Sequence, residues 1–397
     1  MTDAALFPNP EATERNLPSL PASMTFEEVA GRDARALRRE ALDAPMAAVA
    51  RGMPTHHDPS ATDDAGGAFV GRIQGKLVLL APRLKRPVAL PIRLGEKVLW
   101  RVRIPAARLL PSAQHGVTCE AHAQALLTWL KARSPHQAVV LTDVMTDTPL
   151  YAALSHARAI GYRLTNDQPA PHLLHTFGDS YDAFFQAKPS KYKNQLRKKE
   201  KVFRERFGTA FSMKEYRSAA DVPEFLNAAA SINRATYQFK LFGERIDNDV
   251  AAQQAYAELA RAGSFRSFVL WHEQTPLCFV LGQQGTDRVF MHQQTGFSPE
   301  WRDVAPGINC NIQLLQTLYA TDRPTVLDFG SGDADYKRLF ANTTRASSSP
   351  VLIPKSLRYV LPYLLYVGLA RANEAAVGLL DRMGVKDALK RLLRRLP

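Results

Sequence analysis

The sequence has little cysteine and no long apolar run. Only three cysteines occur in 397 residues, and none of them forms a CxxC pair. This spacing excludes a disulfide-stapled scaffold and a cysteine-rich zinc module, and it is typical of buried cysteines in a reducing compartment. No stretch of about 20 uninterrupted apolar residues occurs, so we expect no conventional transmembrane helix.

Targeting signals and the common nucleotide motifs are also missing. The first fifteen residues include Asp3, Glu11 and Glu14 and lack a basic segment followed by an apolar one, so they do not resemble a secretory signal. The chain contains no Walker loop, no GxGxxG fingerprint and no HExxH motif. We therefore expect a cytoplasmic protein without a metal ion.

The positive charge of the chain is concentrated in two segments. The formal net charge is +13, and residues 188–217 contribute eleven basic and three acidic side chains. Residues 355–397 contribute nine basic and three acidic side chains. Because the remainder is close to neutral, the charge indicates two local sites for anionic partners rather than a protein coated with nucleic acid.

The length predicts two domains, and the alternation of predicted strands and helices predicts the α/β (α+β) class. We expect an irregular N-terminal extension over residues 1–65, with a short helical pattern near residues 25–46. An α/β domain over 66–180 shows no catalytic constellation. A second domain over 181–354 has the pattern β-α-α-β-β-β-α-β-α-β, and a helical tail over 355–397 follows.

The first candidate site is the loop 303–309, between a strand and a helix. Pro306 fixes its own φ angle, and Gly307 lets a ligand approach the backbone closely. The amides of Ile308 and Asn309 follow at the helix N-terminus, which suits a pyrophosphate. The alternative is a simple turn that opens the helix.

The second candidate site is the segment 328–337, with the sequence DFGSGDADYK. It places three carboxylates, a tyrosine and a lysine where a strand ends and a helix begins, and open α/β sheets bind ligands at such strand ends. The alternative is a capped loop in which Asp333 or Asp335 starts the helix, with Asp328 paired to Lys337 or Arg338.

These segments resemble the GNAT (Gcn5-related N-acetyltransferase) fold, and in particular the CelD-like, cellulose-biosynthesis acetyltransferases, which are related to the FemAB peptidyltransferases. The resemblance rests on the basic stretch 193–198 (KNQLRK), on Pro306-Gly307, and on the pattern DFxxGDxxYK at 328–337. It covers roughly residues 170–355 and departs from the family at Ser331, where relatives often carry a basic residue. It implies two GNAT-like halves, the first degenerate, each with a mixed, mostly antiparallel sheet and flanking helices.

The resemblance also implies an activity. An acyl group, most simply acetyl, would pass from acyl-CoA (acetyl-CoA) to an amine or hydroxyl acceptor, in an envelope or exopolysaccharide context. The acceptor would be a small molecule or a glycan- or lipid-linked compound. The coenzyme would contact five consecutive residues, namely Ala305, Pro306, Gly307, Ile308 and Asn309.

The chemistry of acyl transfer suggests catalytic roles, and the resemblance supports the one given to the tyrosine. Asp333 would be the general base, with Asp328 as the second choice. Tyr336 would protonate the thiolate leaving group, and Lys337 would orient a carboxylate or hold a coenzyme phosphate. His292 and Gln293, on the strand before the loop, would contact the substrate.

Two other functions stay open at this point. One is a FemAB-like peptidyltransferase that uses aminoacyl-tRNA, with residues 188–206 as the RNA contact. The other is a non-catalytic, membrane-tethered binding protein. The membrane-tethered alternative concerns the tail. Residues 385–396 are amphipathic and basic, as in helices that lie on an anionic membrane surface. The other interpretation of the tail is a helical hairpin that packs on the enzyme.

Overall fold

The structure is a computed structural model that describes residues 24–30, 66–94, 97–110, 116–235, 245–284 and 288–356, and isolated positions between 359 and 375. Most of the predicted N-terminal extension and nearly all of the predicted tail lie outside the described residues. Within the described ranges, no helix is both long and apolar enough to cross a membrane.

The described chain alternates strands and helices in both halves. The strands are β1 (Met24–Ala30), β2 (Gly66–Ile73), β3 (Lys76–Lys85), β4 (Val88–Leu94), β5 (Lys97–Ile104), β6 (Ala106–Leu109), β7 (Ala138–Leu141), β8 (Val144–Met145), β9 (Tyr162–Thr165), β10 (Ala170–Thr176), β11 (Phe211–Tyr216), β12 (Ser267–His272), β13 (Thr275–Gln284), β14 (Val289–Phe297), β15 (Val326–Ser331), β16 (Thr343–Ser348) and β17 (Val351–Pro354). The helices are α1 (Glu120–Arg133), α2 (Pro149–Ala152), α3 (Leu154–Ala159), α4 (Tyr181–Ala187), α5 (Ser190–Phe207), α6 (Val222–Ala235), α7 (Val250–Arg261), α8 (Pro306–Ala320) and α9 (Asp335–Phe340), with a 3₁₀ turn at Pro299–Val304.

The predicted α/β fold with two mixed sheets is confirmed, and the predicted element order of the second half holds except at its end. There, the single predicted strand is two strands, β16 and β17. The prediction for the N-terminal extension is wrong at β1, which pairs with β2 along its whole length. Met24 and Phe26 pack on the first core, while Thr25 and Glu27 are exposed, and this two-residue alternation is the signature of a strand.

The first half lends two strands, β8 and β10, to the second sheet, and the second half lends one strand, β17, to the first sheet. The first sheet has the order β1-β2-β3-β6-β7-β17-β9, and the second has the order β11-β12-β13-β14-β15-β10-β16-β8. Strand β17, at the end of the second half, therefore lies between two strands of the first half, and β10 lies reciprocally between β15 and β16. The proposed boundary at residue 180 stays a prediction, but the sheets interleave across it.

The functional interest of the fold centres on β14 and β15. These parallel neighbours pair only from Val289 to Met291 and from Val326 to Asp328. Beyond these residues β14 continues to Phe297 along β13, and β15 continues to Ser331 along β10. We call the place where β14 and β15 stop pairing with each other the cleft. Backbone groups left there without a ladder partner are suited to bind a ligand.

Helices cover the second sheet on both faces. On one face, α4, α5, α8 and α9 pack over a core that includes Phe290 of β14 and Leu327 of β15. On the other face, α6 and α7 pack over β12 and β13 with Val269 and Phe279. Because successive strand residues point to opposite faces, His292 of β14 lies on the α8 face, whereas Met291 and Gln293 lie on the other.

Candidate active site

The loop before α8 lies where it was predicted, but the two backbone amides that were expected to bind the coenzyme form hydrogen bonds within the protein. Ala305 has a left-handed conformation, with φ of 52°. Its carbonyl accepts hydrogen bonds from the Ile308 amide at 3.1 Å and from the Asn309 amide at 3.2 Å. These two amides are therefore engaged within the protein, so Gly307 is the residue of this turn best placed to offer its amide to an anion.

Gly307 is not required for packing. A Cβ atom at this position would meet only the Phe297 ring, at 3.4 Å, which is an ordinary van der Waals contact. The absence of a side chain here thus leaves room for something other than the described part of the protein, as expected where a ligand approaches the backbone.

Asn309 ties the coenzyme loop to the basic helix α5. Its buried side-chain nitrogen Nδ2 donates to the carbonyls of Lys199 at 3.3 Å, Val304 at 3.3 Å and Ala305 at 3.1 Å. The side chain is thus a structural bridge. Through these hydrogen bonds α5, with eight basic and two acidic residues, is held directly beside the start of α8.

The predicted role of Lys337 needs correction. Its ammonium group donates to the carbonyls of Gly330 at 3.1 Å, Ser331 at 2.8 Å and Gly332 at 3.3 Å. Gly330 and Gly332 both have positive φ, of 73° and 87°, so the loop curls around the ammonium group. Lys337 is buried and holds this loop, so its donors are engaged inside the protein rather than offered to a coenzyme phosphate.

Asp333 is poorly suited to the role of general base. It is exposed and forms a two-point ion pair with Arg338, in which Nε lies 2.5 Å from Oδ1. The hydrogen bond from Arg338 holds the pKa of Asp333 below its usual range. Both oxygens of the Asp333 carboxylate are engaged by Arg338, so neither is free to take a proton from an acceptor, and we do not propose Asp333 as the base.

Asp328 is held by two donors. Its Oδ1 accepts from the Gly330 amide at 2.7 Å and lies 2.6 Å from Nε2 of His172. Sequence reasoning missed His172, because nothing in the local pattern of β10 reveals that this strand lies in the second sheet. The signal that was available is two histidines, His172 and His175, within one short strand.

His292 is buried inside the cleft region. Its Nε2 has no hydrogen-bond partner in the part of the chain that the structure describes, although the side chain packs near the rings of Phe329 and Tyr336, at 5.7 and 6.5 Å between centroids. Burial lowers the pKa of His292 to about 4, so the ring is neutral at pH 7. A buried polar atom without a partner calls for an explanation, and a ligand in the cleft supplies one.

Tyr336 and Gln293 complete the predicted set. Burial raises the pKa of Tyr336, so its hydroxyl keeps its proton at neutral pH and remains a donor. Gln293 is exposed and lies on the sheet face opposite to His292. His292 and Gln293 are the two residues predicted to contact substrate. They could therefore contact the same ligand only if that ligand extended through the cleft from one face of the sheet to the other.

Comparison with protein families places a known domain over this site. Residues 190–338 match the family model of the acetyltransferase (GNAT) domain. The matched segment includes α5, the cleft, the start of α8 and the loop after β15. No curated protein matches the chain. Residues 190–338 are thus similar to a GNAT-type acetyltransferase domain.

Several solved structures have a similar backbone fold but low sequence identity to this chain. A conserved protein of unknown function from Bacteroides thetaiotaomicron is 12% identical over 83% of this chain and 99% of that one, with a TM-score of 0.49. The C-terminal domain of a protein described as a lysylphosphatidylglycerol synthetase, from Agrobacterium fabrum, is 10% identical over 84% and 96%, with a TM-score of 0.48. A GCN5-related N-acetyltransferase from Anabaena variabilis is 11% identical over 83% and 72%, with a TM-score of 0.36.

Proposed function

We propose that the protein is an acyltransferase that moves an acyl group, most simply acetyl, from a coenzyme A thioester to an amine or hydroxyl acceptor in the cleft. The observation that carries the proposal is the buried, unpartnered Nε2 of His292, which lies in the segment matched by the acetyltransferase model. The alternatives of a peptidyltransferase and a non-catalytic protein lack a comparable observation.

The proposed reaction uses His292 as the general base. An amine must be neutral to attack a thioester, so a neutral imidazole nitrogen that lacks a partner takes the proton from the acceptor. The acceptor atom bonds to the thioester carbon, and the carbon–sulfur bond breaks. The thiolate then receives a proton from the Tyr336 hydroxyl, which its buried setting keeps protonated.

The coenzyme would lie along the start of α8. The pyrophosphate would meet the Gly307 amide and the positive end of the helix dipole. The neighbouring α5 would supply cations for the remaining phosphate, because Asn309 holds the backbone of Lys199 against the loop. No metal ion is needed in this proposal.

Gly307→Val tests the coenzyme site. We expect it to raise the dissociation constant for acetyl-CoA at least tenfold, because the new side chain occupies the space through which the pyrophosphate approaches the backbone. The fold should persist, since Phe297 is the one described residue that lies near the new Cβ. Isothermal calorimetry measures the affinity.

Gly178→Val is the matched control. Gly178 is exposed, and no described residue has an atom within 4 Å of an added Cβ, so its variant should bind acetyl-CoA like the unmodified protein. Equal affinities of both variants and the unmodified protein would remove the pyrophosphate assignment.

The tail is the part of the proposal that concerns location. We propose that the basic segment 355–397 docks the enzyme on an anionic membrane, at the inner face of the membrane, because apolar and basic residues alternate in it with helical spacing. Each basic residue near such a surface contributes about 1 kcal/mol.

Removal of residues 385–397 should abolish binding to anionic vesicles and leave coenzyme affinity unchanged. Binding of the full chain should also weaken with added salt, because charges are screened over about 8–10 Å at physiological ionic strength. Cosedimentation with anionic and neutral vesicles measures both effects. Recovery of full-length and shortened chains in the supernatant alike would mean that the tail does not bind membrane.

A further inference from the structure

Strands β4 and β5 form a two-stranded ribbon that belongs to neither of the two large sheets. They pair antiparallel, from Val88 and Ile104 at the base to Leu94 and Lys97 at the outer end. Among the described residues, neither strand pairs with a third. A ribbon of two strands is at best marginally stable in water unless something packs on its apolar face, so the ribbon needs a partner that strand pairing does not supply.

One face of the ribbon is apolar over three successive cross-strand pairs. Alternate positions of a strand share a face, and the register sets apolar residues at such positions on both strands. The three pairs are Val88 with Ile104, Leu90 with Val102, and Ile92 with Trp100. The apolar face therefore continues outward from the base of the ribbon.

The opposite face of the ribbon is basic. Arg101 and Arg103, which flank Val102 in sequence, are exposed, and so is Ala89, the register partner of Arg103. Residues 86–103 together contain five basic residues and one acidic residue. The ribbon is thus amphipathic, with cations on the face opposite to the apolar pairs.

The base of the ribbon lies beside the tail. Val88 and Ile104 are buried in a small cluster that includes Tyr359 of the tail, and Tyr366 packs against the same cluster. Two leucines of this helical part of the tail, Leu364 and Leu369, are 51% and 39% exposed. The apolar face of the ribbon and a helix with exposed leucines therefore extend from one cluster.

Charge decides what can cover these apolar groups. The ribbon is basic, and residues 355–397 carry nine basic and three acidic side chains, so the ribbon and the rest of the tail repel each other. A nucleic acid would neutralise the charge but would leave the apolar pairs in water. An anionic lipid surface satisfies both, because an amphipathic element lays its apolar face into the acyl boundary while long basic side chains reach the headgroups.

We propose that the β4–β5 ribbon is a second membrane-docking element, which lays its apolar face into the surface of an anionic bilayer beside the tail. This inference extends the docking proposed for the tail. It stands on the ribbon's own register and charge, and it does not require acyltransferase activity. One weak anchor binds a membrane only marginally, whereas two anchors act together. The first half, which shows no catalytic constellation, thereby gains a role in location.

Quenching by brominated lipid tests where the ribbon lies. Vesicles of equal parts phosphatidylcholine and phosphatidylglycerol, with bromine on the acyl chains, quench tryptophans that reach the acyl region. The full-length protein should lose fluorescence on binding, and Trp100→Phe should remove at least half of that loss. Trp129→Phe is the matched control. It should leave the quenching unchanged, because Trp129 packs against Phe26 and Phe69 in the first core.

Charge reversal tests the basic face in the full-length protein. Arg101→Glu combined with Arg103→Glu should lower the vesicle partition coefficient at least tenfold, because each basic residue near an anionic surface adds to binding. The fold should persist, since both side chains are exposed. Arg234→Glu combined with Arg261→Glu is the matched control. These arginines are exposed on α6 and α7, and their reversal changes the net charge equally but should alter the partition coefficient less than twofold.

The outcomes separate the ribbon from the tail. If Trp100→Phe leaves the quenching unchanged, or if reversal of Arg101 and Arg103 costs no more than the control, the ribbon does not dock, even where removal of residues 385–397 abolishes binding. If both ribbon variants have the expected effects and the shortened chain still binds, the ribbon docks and the proposal for the tail is wrong. Failure of the full-length protein to bind vesicles contradicts both.

Two further results complete the test. If reversal of Arg101 and Arg103 abolishes binding to mixed tRNA and not to vesicles, the ribbon is a nucleic-acid surface and the proposal is wrong. If the charge-reversed protein does not fold, the comparison of Trp100→Phe with Trp129→Phe decides alone, because both substitutions keep an aromatic ring in place.

Discussion

Lowering the pH from 7 to 4.5 should reduce the free energy of unfolding by roughly 5 kcal/mol. The cause is two buried histidines, His175 and His292. Burial lowers the pKa of each to about 4, whereas both titrate near 6.5 in the unfolded chain. Between these values the unfolded state binds more protons than the folded state, so stability is complete above about pH 6.5 and falls as the pH drops toward 4.

Chemical denaturation at a series of pH values measures this effect. His292→Phe should remove about half of the loss between pH 6.5 and 4.5, because one of the two histidines no longer titrates. His172→Gln should leave the loss in place, since His175 and His292 both remain. A free energy of unfolding that stays constant from pH 7 to pH 5 would contradict the burial of both rings.

His292→Phe should lower turnover about 10³-fold and raise stability at the same time. The loss of turnover is in the range for removal of a positioned acid or base. The gain of about 1–2 kcal/mol follows because a buried nitrogen without a partner is replaced by an apolar ring, in a place already lined by Phe329 and Tyr336. A residue retained at the expense of stability is expected at a functional site.

Two further variants test whether the loss of turnover is specific to His292. Asp333→Asn should keep near-normal turnover, because Asp333 is exposed and engaged with Arg338, and Tyr336→Phe should lose about 10²-fold as the proton donor. Thiol release from acetyl-CoA with an accepted amine gives the rates, and thermal unfolding gives the stability. A His292→Phe protein with normal turnover, or an inactive Asp333→Asn protein, would reverse the assignment of the base.

The sequence predicts the elements of the second half because their signals are local. Gly208 follows the end of α5 and Gly263 follows the end of α7, and the alternation of apolar and polar residues marks the strands. What is missing from local signals is the choice of sheet. No residue pattern near β10 or β17 indicates that each strand pairs with strands of the other half. The contact between His172 and Asp328 therefore cannot be predicted from the local sequence.

The motif at 328–337 illustrates a second limit. It correctly predicts that a loop joins the end of a strand to a short helix here. The residue types alone do not tell where each side chain points, however. Lys337 turns inward to the carbonyls of its own loop, and Asp333 turns outward to Arg338. The base that we propose, His292, lies outside the motif.

The exchange of β10 and β17 also sets the order in which the chain can assemble during its synthesis. The gap between β7 and β9 is filled only by Val351–Pro354, close to the end of the described chain. While the ribosome is still making the second half, the nascent first half therefore carries two unpaired strand edges, which are prone to pair with other chains. N-terminal domains generally fold first during synthesis, but here both sheets reach completion together, in one late step.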